Sequence, residues 1–230
     1  MDADSSERYV PDAIPEEDLA YFEESRYGNR VGWGDSPAVL VVDMTRAFLE
    51  GRRTDGDPVA PTAELLVTAR SAGVPVFYAA PDAETTYPDG YPVPTKASPA
   101  SHRGPDPDRD RDERAAWREK LTEFPEPVEP RPAETVVAKP RASAFFDTHL
   151  ANLLHHEGVD TLVVAGTNTG GCVRATVVDS HSSNFRTVVP PECVAGTSTV
   201  VHEVTLFDLD MRYADVTPLD DVLDRIAATD

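Results

Sequence analysis

Short apolar runs alternate with helical segments along most of this 230-residue chain, and this alternation restricts the fold more than any other feature. The runs are rich in β-branched residues and lack polar alternation, which is typical of strands buried on both faces. Repeated strand–helix–strand units imply right-handed crossovers and a parallel sheet with helices on both faces. We predict six strands, at residues 38–42, 74–80, 134–138, 161–165, 186–189 and 214–217.

Two segments differ in composition from the rest of the chain. Residues 1–36 are polar and acidic with interspersed aromatic residues, and we expect an N-terminal arm that docks on its own domain or on a neighbouring subunit. Residues 37–230 are predicted to form one domain. Within it, residues 82–133 are rich in proline, and we expect a partly ordered loop that covers the site, with a short helix near 112–121.

The charge of the chain excludes some partners. There are 41 acidic and 21 basic residues, a net charge of −20, and a field this negative repels nucleic acid and anionic membranes. It would also keep a protein soluble at high salt, so we hypothesise a halophilic origin.

The acidic start has no apolar signal core, and two cysteines make no disulfide framework. We therefore expect a reduced, cytoplasmic protein.

One cysteine follows a glycine-rich turn after a predicted strand. The strand at 161–165 leads into the turn GTNTGG at 166–171, and a helix is predicted to begin at or beside Cys172. Unpaired N–H groups and the helix dipole at such a position favour a thiolate, the nucleophilic form, and can hold an oxyanion. Cys172 is thus a candidate nucleophile. The alternative is a small buried cysteine at a strand-to-helix turn.

Two further strands also end in a charged residue. Asp43 follows the first strand and Lys139 follows the third, so a carboxylate, an ammonium group and the thiol of Cys172 are predicted at one edge of the sheet. A carboxylate can take the thiol proton, and an ammonium group can hold both anions. The alternatives are a helix-capping Asp43, or an Asp–Lys ion pair beside an inert cysteine.

Several blocks carrying these residues resemble the isochorismatase-like cysteine hydrolase superfamily. They are AVLVVDMTRAF, ETVVAKPRASAFFDTHL and GTNTGGCVRATVVDS; the longer matches YGNRVGWGDSPAVLVVDM and HEVTLFDLDMRYADV resemble its N-carbamoylsarcosine amidohydrolase branch, which is close to the maleamate amidohydrolases. The resemblance implies a three-layer α/β/α, Rossmann-like fold with a six-stranded parallel sheet. It implies Cys172 as nucleophile, Asp43 as acid and base, and Lys139 as third triad member. It also implies a cis peptide bond between Thr167 and Asn168, with the N–H groups of Asn168 and Cys172 as the oxyanion hole.

The same resemblance implies an activity. It is the hydrolysis of a small carboxamide or N-carbamoyl compound through a covalent acyl- or carbamoyl-enzyme, with release of ammonia and no cofactor. Nicotinamidase relatives carry a metal site with an Asp-x-His pattern, whereas the segment after the second strand here reads DAE, so we expect no catalytic metal. Family members are commonly dimers or tetramers, and we expect a homodimer or homotetramer.

Substrate recognition departs from the family pattern. The carbamoylsarcosine branch would hold its substrate's carboxylate with an arginine after the fifth strand, where this chain reads AGTS. Arg141 or Arg174 could replace that arginine, and the alternative for each is a surface or ion-paired arginine. Thr197 and Ser198 could instead hydrogen-bond a neutral substrate.

Other functions stay open at this point. A maleamate amidohydrolase or a nicotinamidase-like amidase would use the same chemistry, and a non-catalytic small-molecule-binding protein could share the fold. A nucleotide-binding turn is disfavoured by the net charge of −20 and by the lack of lysine in the glycine-rich turn. We expect Cys193 to be structural. His202 could line the pocket, but we expect it to pack on its helix or at a subunit contact.

Overall fold

A single parallel sheet forms the centre of the computed structural model, which describes residues 8–50, 56–82 and 111–229. In these ranges the sheet has seven strands, in the order β3-β2-β1-β4-β5-β7, with β6 pairing the end of β4. The strands are β1 (Pro37–Val42), β2 (Val76–Pro81), β3 (Thr135–Lys139), β4 (Thr161–Thr167), β5 (Arg186–Val189), β6 (Val194–Ala195) and β7 (Asp215–Val216). All neighbouring strands run parallel.

Each of the six predicted strands is present, with ends that shift by at most a few residues. Every residue of β1, β2 and β4 is buried, which explains why these strands read as continuous apolar runs. β3 lies at one edge of the sheet and exposes alternate residues. The short strand β6 was not predicted, and it brings the chain after β5 beside the carboxyl end of β4.

Helices cover both faces of the sheet. They are α1 (Glu16–Glu24), α2 (Arg46–Leu49), α3 (Val59–Ser71), α4 (Arg111–Thr122), α5 (Leu150–His156), α6 (Arg174–Ser182), α7 (Thr199–Arg212) and α8 (Leu219–Ala227). Alternate residues of β1 point to opposite faces, as the pleat requires. Leu40 packs in a core with residues of α5, α6 and α7, whereas Val41 packs in a second core with residues of α3 and α8. The predicted three-layer α/β/α fold is therefore confirmed.

The described part of the N-terminal arm packs on the domain of its own chain. Asp210 of α7 is buried and accepts hydrogen bonds from Arg30 Nη1 at 2.9 Å and from the backbone N–H of Tyr9 at 3.2 Å. The ring of Phe22 lies edge-on against Phe207, with 5.4 Å between ring centroids. These contacts place the arm over the far end of α7.

Two further observations concern the connections and helices. The predicted helix in the proline-rich segment is present as α4, whereas residues 83–110 of the predicted covering loop lie outside the described residues. None of the helices in the described ranges is long and apolar enough to cross a membrane.

The strand order reverses between β1 and β4, and ligands of open parallel sheets bind at the carboxyl ends of strands where this reversal occurs.

Candidate active site

Asp43 is the first residue after β1, at the reversal of the strand order. Its side chain is fully buried. The backbone has a φ of 48°, in the left-handed region that Asp tolerates better than most residues, and its N–H donates to the carbonyl oxygen of Ala79 at 2.9 Å. The hydroxyl group of Thr167 donates to the carbonyl oxygen of Asp43. The ends of β1, β2 and β4 thus fix this carboxylate in the sheet.

Lys139 ends β3, and its side chain reaches across the end of β2 to Asp43. Its Nζ lies 2.8 Å from Asp43 Oδ2 and 3.6 Å from Cys172 Sγ. Nζ also donates to the carbonyl oxygen of Arg141 at 3.1 Å. Only 3% of the lysine side chain is exposed, so its charge is compensated by these partners rather than by bulk water. The structure therefore brings the three predicted triad residues together.

Cys172 lies in a wide helical turn between β4 and α6. This turn, Thr169–Val173, has a π-helical form, and α6 proper begins at Arg174, two residues after Cys172. The carbonyl oxygen of Asn168 accepts hydrogen bonds from the N–H groups of Gly171 at 2.8 Å and Val173 at 3.3 Å. Cys172 keeps partial exposure to solvent. A nucleophile at this position is accessible to a small ligand.

Glycine is required where the turn leaves β4. Gly166 has a φ of 135°, and a Cβ at this position would collide with the carbonyl oxygen of Val42. The main chains of β4 and β1 therefore approach each other more closely here than a side chain would permit. This close approach sets the turn of Cys172 beside the residue that follows Val42, the buried Asp43.

The peptide bond between Thr167 and Asn168 is cis, at the position that the family resemblance implied. The predicted oxyanion donors, the N–H groups of Asn168 and Cys172, belong to the turn that follows this bond. Two buried side-chain oxygens near the same strand ends, Asn168 Oδ1 and Thr45 Oγ1, have no hydrogen-bond partner within the described residues. Buried polar atoms of this kind are found where a ligand or water completes a site.

Burial dominates the electrostatics of the three residues. Burial raises the pKa of the Asp43 carboxyl group, although Lys139 and the thiol oppose the increase. Burial and the neighbouring Asp43 raise the pKa of the Cys172 thiol to about 12, with Lys139 acting in the opposite direction. Burial disfavours the charge of Lys139, but Asp43 and Cys172 outweigh it and raise the lysine's pKa.

At Cys172 burial and the carboxylate of Asp43 oppose the effect of a helix terminus, which favours the thiolate. The regular helix begins after Cys172, and the carboxylate of Asp43, which pairs with the Lys139 ammonium group, interacts with the thiol as well. The resting thiol of Cys172 is therefore protonated at neutral pH, because its pKa is raised to about 12. Reaction requires a base beside it, and Asp43 is placed to act as that base.

The four residues considered for substrate binding are exposed or bond to other groups of the protein. Arg174 is exposed and pairs with Asp208 at 3.0 Å, so it matches the alternative of an ion-paired surface arginine. Ser198 Oγ caps α7 by accepting from the N–H of Val201 at 3.4 Å. Thr197 is exposed, and the exposed Arg141 donates from Nη1 to the carbonyl oxygen of Pro140 at 2.8 Å.

Two other residues have clear positions. Cys193 is fully buried in the core, and burial raises the pKa of its thiol to about 12, which agrees with a structural cysteine. His202 was expected to pack on its helix or at a subunit contact, but its Nδ1 lies 2.8 Å from Thr169 Oγ1, inside the turn of Cys172. No sequence pattern indicates this contact, because it joins residues that are 33 positions apart.

Comparison with known proteins identifies relatives over most of the chain. The family model described as the isochorismatase domain matches residues 37–221. A maleamate amidohydrolase of Pseudomonas putida is 36% identical over 209 residues, which is 87% of this chain and 91% of the relative. An N-carbamoylsarcosine amidase of Arthrobacter sp. is 29% identical over 225 residues, which is 90% of this chain and 77% of the relative.

Solved structures show the same architecture. The crystal structure of a cysteine hydrolase from Pseudomonas syringae pv. phaseolicola superimposes with a TM-score of 0.67 at 25% sequence identity. The match covers 84% of this chain and 93% of that structure. The parallel sheet with helices on both faces is thus shared with proteins of known structure, including this cysteine hydrolase.

Proposed function

Because this chain belongs to the isochorismatase family, we propose that it is a cysteine-dependent amidohydrolase that releases ammonia from a small carboxamide or N-carbamoyl compound. The observation that carries the proposal is the position of Lys139 Nζ, 2.8 Å from Asp43 Oδ2 and 3.6 Å from Cys172 Sγ. A buried acid, a buried cation and a partly exposed thiol at one sheet edge are the groups that nucleophilic amide hydrolysis requires.

In the first step, Asp43 accepts the proton of the Cys172 thiol and the sulfur attacks the substrate carbonyl carbon. A carbon–sulfur bond forms, and the carbonyl π electrons move to the oxygen. The resulting oxyanion is held by the N–H groups of Asn168 and Cys172, which lie on the turn that carries the sulfur. Lys139 stays protonated throughout, because its neighbours raise its pKa.

In the second step, the tetrahedral intermediate collapses and the carbon–nitrogen bond breaks. Asp43 returns its proton to the departing nitrogen, which leaves as ammonia, and an acyl- or carbamoyl-enzyme remains. A water molecule then gives a proton to Asp43 and attacks the thioester or thiocarbamate carbon. The carbon–sulfur bond breaks, the acid leaves, and Asp43 returns the proton to the sulfur of Cys172. The raised pKa of Asp43 suits a group that must alternately accept and donate a proton.

The groups around the site favour a substrate with an NH₂ group. The Asn168 Oδ1 atom is buried and has no hydrogen-bond partner within the described residues, and the buried Asp43 carboxylate is a second potential acceptor at these strand ends. Both therefore suit the two N–H donors of a primary amide or ureido nitrogen.

Two named substrate classes follow from the relatives. The similarity to a P. putida maleamate amidohydrolase, at 36% identity, favours maleamate-like carboxamides, and the 29% identity to an Arthrobacter N-carbamoylsarcosine amidase favours N-carbamoyl amino acids. The segment AGTS at 195–198 offers no arginine for a substrate carboxylate. Nicotinamide is a further carboxamide that belongs in a test, and a non-catalytic binding role is the remaining alternative.

The test is ammonia release at high salt from N-carbamoylsarcosine, other N-carbamoyl amino acids, maleamate and nicotinamide. Cys172→Ala should abolish release, whereas Cys193→Ala, which removes the other cysteine, should retain it. Release that persists in Cys172→Ala would rule out the thiol mechanism. A folded wild-type protein that hydrolyses no member, and whose Cys172 is not acylated by an activated ester, would support the binding role instead.

A further inference from the structure

The segment from Val194 to His202 packs along the turn that carries Cys172. Its first contact is the pairing of Ala195 in β6 with Thr167 at the end of β4. Further along, Val201 covers Gly170 so closely that a Cβ at Gly170 would lie 2.6 Å from Val201 Cγ1. The segment therefore supports the turn from the side.

The third contact is polar. His202 Nδ1 is 2.8 Å from the hydroxyl oxygen of Thr169, a fully buried residue that follows Asn168 directly. Gly196 fits against both residues, with a Cβ position 3.7 Å from Thr169 Oγ1 and 3.8 Å from His202 Cβ. A buried hydroxyl group without a partner costs free energy, so this hydrogen bond fixes the orientation of the Thr169 side chain.

We propose that His202 is a positioning residue whose hydrogen bond to Thr169 holds the N–H groups of Asn168 and Cys172 in place to stabilise an oxyanion. The inference rests on the proposed function in one respect, because it requires that Cys172 attacks a carbonyl group. It adds a role for a side chain outside the three residues that carry the chemistry.

The chemistry of His202 and Thr169 allows a stable hydrogen bond between them. Burial lowers the pKa of His202, which keeps the imidazole neutral at neutral pH. A neutral imidazole has one donor and one acceptor nitrogen, and a hydroxyl group can act as either, so the bond to Thr169 forms with both tautomers. Thr169 in turn begins the helical turn that ends at Val173, and a rotation of this residue would move the N–H groups on either side of it.

Two reactions of the Cys172 sulfur distinguish a role of His202 in positioning the oxyanion hole from a role in stabilising the fold alone. Alkylation by iodoacetamide displaces iodide from carbon and forms no oxyanion. Acylation by p-nitrophenyl acetate forms a carbon–sulfur bond, places negative charge on the carbonyl oxygen, and then expels p-nitrophenolate. A misplaced oxyanion hole therefore slows acylation and leaves alkylation unchanged.

The experiment measures both rates in His202→Leu and Thr169→Val, with His202→Asn and Thr169→Ser as conservative rescues. We expect the two disruptive variants to acylate about 10-fold to 100-fold more slowly, with an alkylation rate within about twofold of wild type. The rescues should recover most of the acylation rate, because asparagine and serine retain a hydrogen-bonding group at the same distance from the main chain. His156→Leu, at an exposed position on α5, controls for loss of a histidine.

The double variant provides a second criterion. If the two side chains act through their mutual hydrogen bond, His202→Leu with Thr169→Val should be no slower than either single variant. Acylation at the wild-type rate in His202→Leu would overturn the inference, and so would an equal loss of acylation and alkylation.

A failure of the inference about His202 can be distinguished from a failure of the proposed amidohydrolase function. If the wild-type enzyme hydrolyses none of the amides but is acylated at Cys172, only the proposed substrates are wrong, and the variants still test His202. If Cys172 is alkylated but never acylated in the wild type, no oxyanion hole operates in this turn and the inference is wrong.

Discussion

The Nζ atom of Lys139 lies 2.8 Å from Oδ2 of Asp43, although the two residues end strands β3 and β1, which are separated by β2. Both side chains are almost completely buried, so the two charges stabilise each other in the protein interior. Their effects on the Cys172 thiol are opposite, because the carboxylate raises its pKa and the ammonium group lowers it.

The first prediction separates thiol ionisation from hydrolysis. Asp43→Asn removes the carboxylate that raises the pKa of Cys172, while the cation that lowers it stays. The pKa should fall below the wild-type value of about 12, and alkylation by iodoacetamide at neutral pH should become faster. Ammonia release should decrease by at least about 100-fold, because the acid–base group is lost. The measurement is the pH dependence of both rates.

Lys139→Met provides the matched comparison. Removing the ammonium group takes away the charge that lowers the thiol's pKa, so alkylation of Cys172 should be slower than in the wild type. Hydrolysis should be lost in both variants, whereas alkylation changes in opposite directions. A change of alkylation in the same direction in both would show that disturbed packing, not charge, controls the thiol.

A second prediction concerns the close approach of β4 to β1. Gly166→Ala would place a Cβ against the carbonyl oxygen of Val42 at a φ of 135°, so the variant should lose at least about 3 kcal/mol of unfolding free energy or fail to fold. Gly196→Ala should cost less than about 1 kcal/mol, because its Cβ would meet Thr169 Oγ1 at an ordinary 3.7 Å. Urea unfolding of the two variants checks the difference, and equal stabilities would contradict it.

The sequence was sufficient to predict the strands at the centre of the sheet and the residues at their ends. Strands buried on both faces have continuous apolar runs, and a charged residue directly after such a run is easily seen. Asp43 and Lys139 were found in this way, without knowledge of their distance. The strand β6 was not predicted, and no sequence pattern pairs His202 with Thr169, because that contact joins residues 33 positions apart.

The direction of the pKa shift of Cys172 could not be predicted from the local sequence. A glycine-rich turn before a helix predicts a low thiol pKa, and the structure has the opposite shift. The reason lies in the assembled sheet, where burial and the carboxylate of Asp43 outweigh the cation of Lys139. Neither the depth of burial nor the distance between strand ends is present in the local pattern.

A third prediction concerns acid stability at the opposite end of the strands. Glu134 accepts two hydrogen bonds from Arg70, each of 2.8 Å, and one from the N–H of Arg131 at 2.7 Å. Burial acts against the charged form, but these bonds outweigh it and lower the pKa of Glu134. The folded-state pKa lies below the unfolded value, so this stabilisation is present above about pH 4.3 and is lost as pH falls further.

Glu134→Gln should therefore lower the Tm at neutral pH by roughly 5 °C, and the difference from wild type should shrink below about pH 4. Glu123→Gln is the control, because its 2.7 Å pair with Arg46 is exposed on both sides and should contribute little. Thermal unfolding between about pH 3 and pH 7 checks both. A difference that grows in acid would show that the pKa of Glu134 is raised instead.

A fourth prediction follows from the net charge of −20. Mutual repulsion of the acidic residues destabilises the compact state when the Debye length is about 10 Å, and salt removes this effect. The Tm should rise steadily as KCl increases from about 0.1 M to about 2 M, and dilution into low salt should favour unfolding. KCl is preferred to a sulfate because sulfate strengthens apolar burial in any protein. A Tm that does not change with KCl would argue against a halophilic origin.

The order of the strands also determines when this chain can first carry its chemistry. Asp43 and Lys139 precede Cys172 along the chain, and the strands that hold them, β1 and β3, are synthesised before β4. During translation the base and the cation therefore leave the ribosome before the sulfur does. A nascent chain never presents the nucleophile without its two partners already made, and a truncated product that ends before β4 contains no nucleophile at this edge of the sheet.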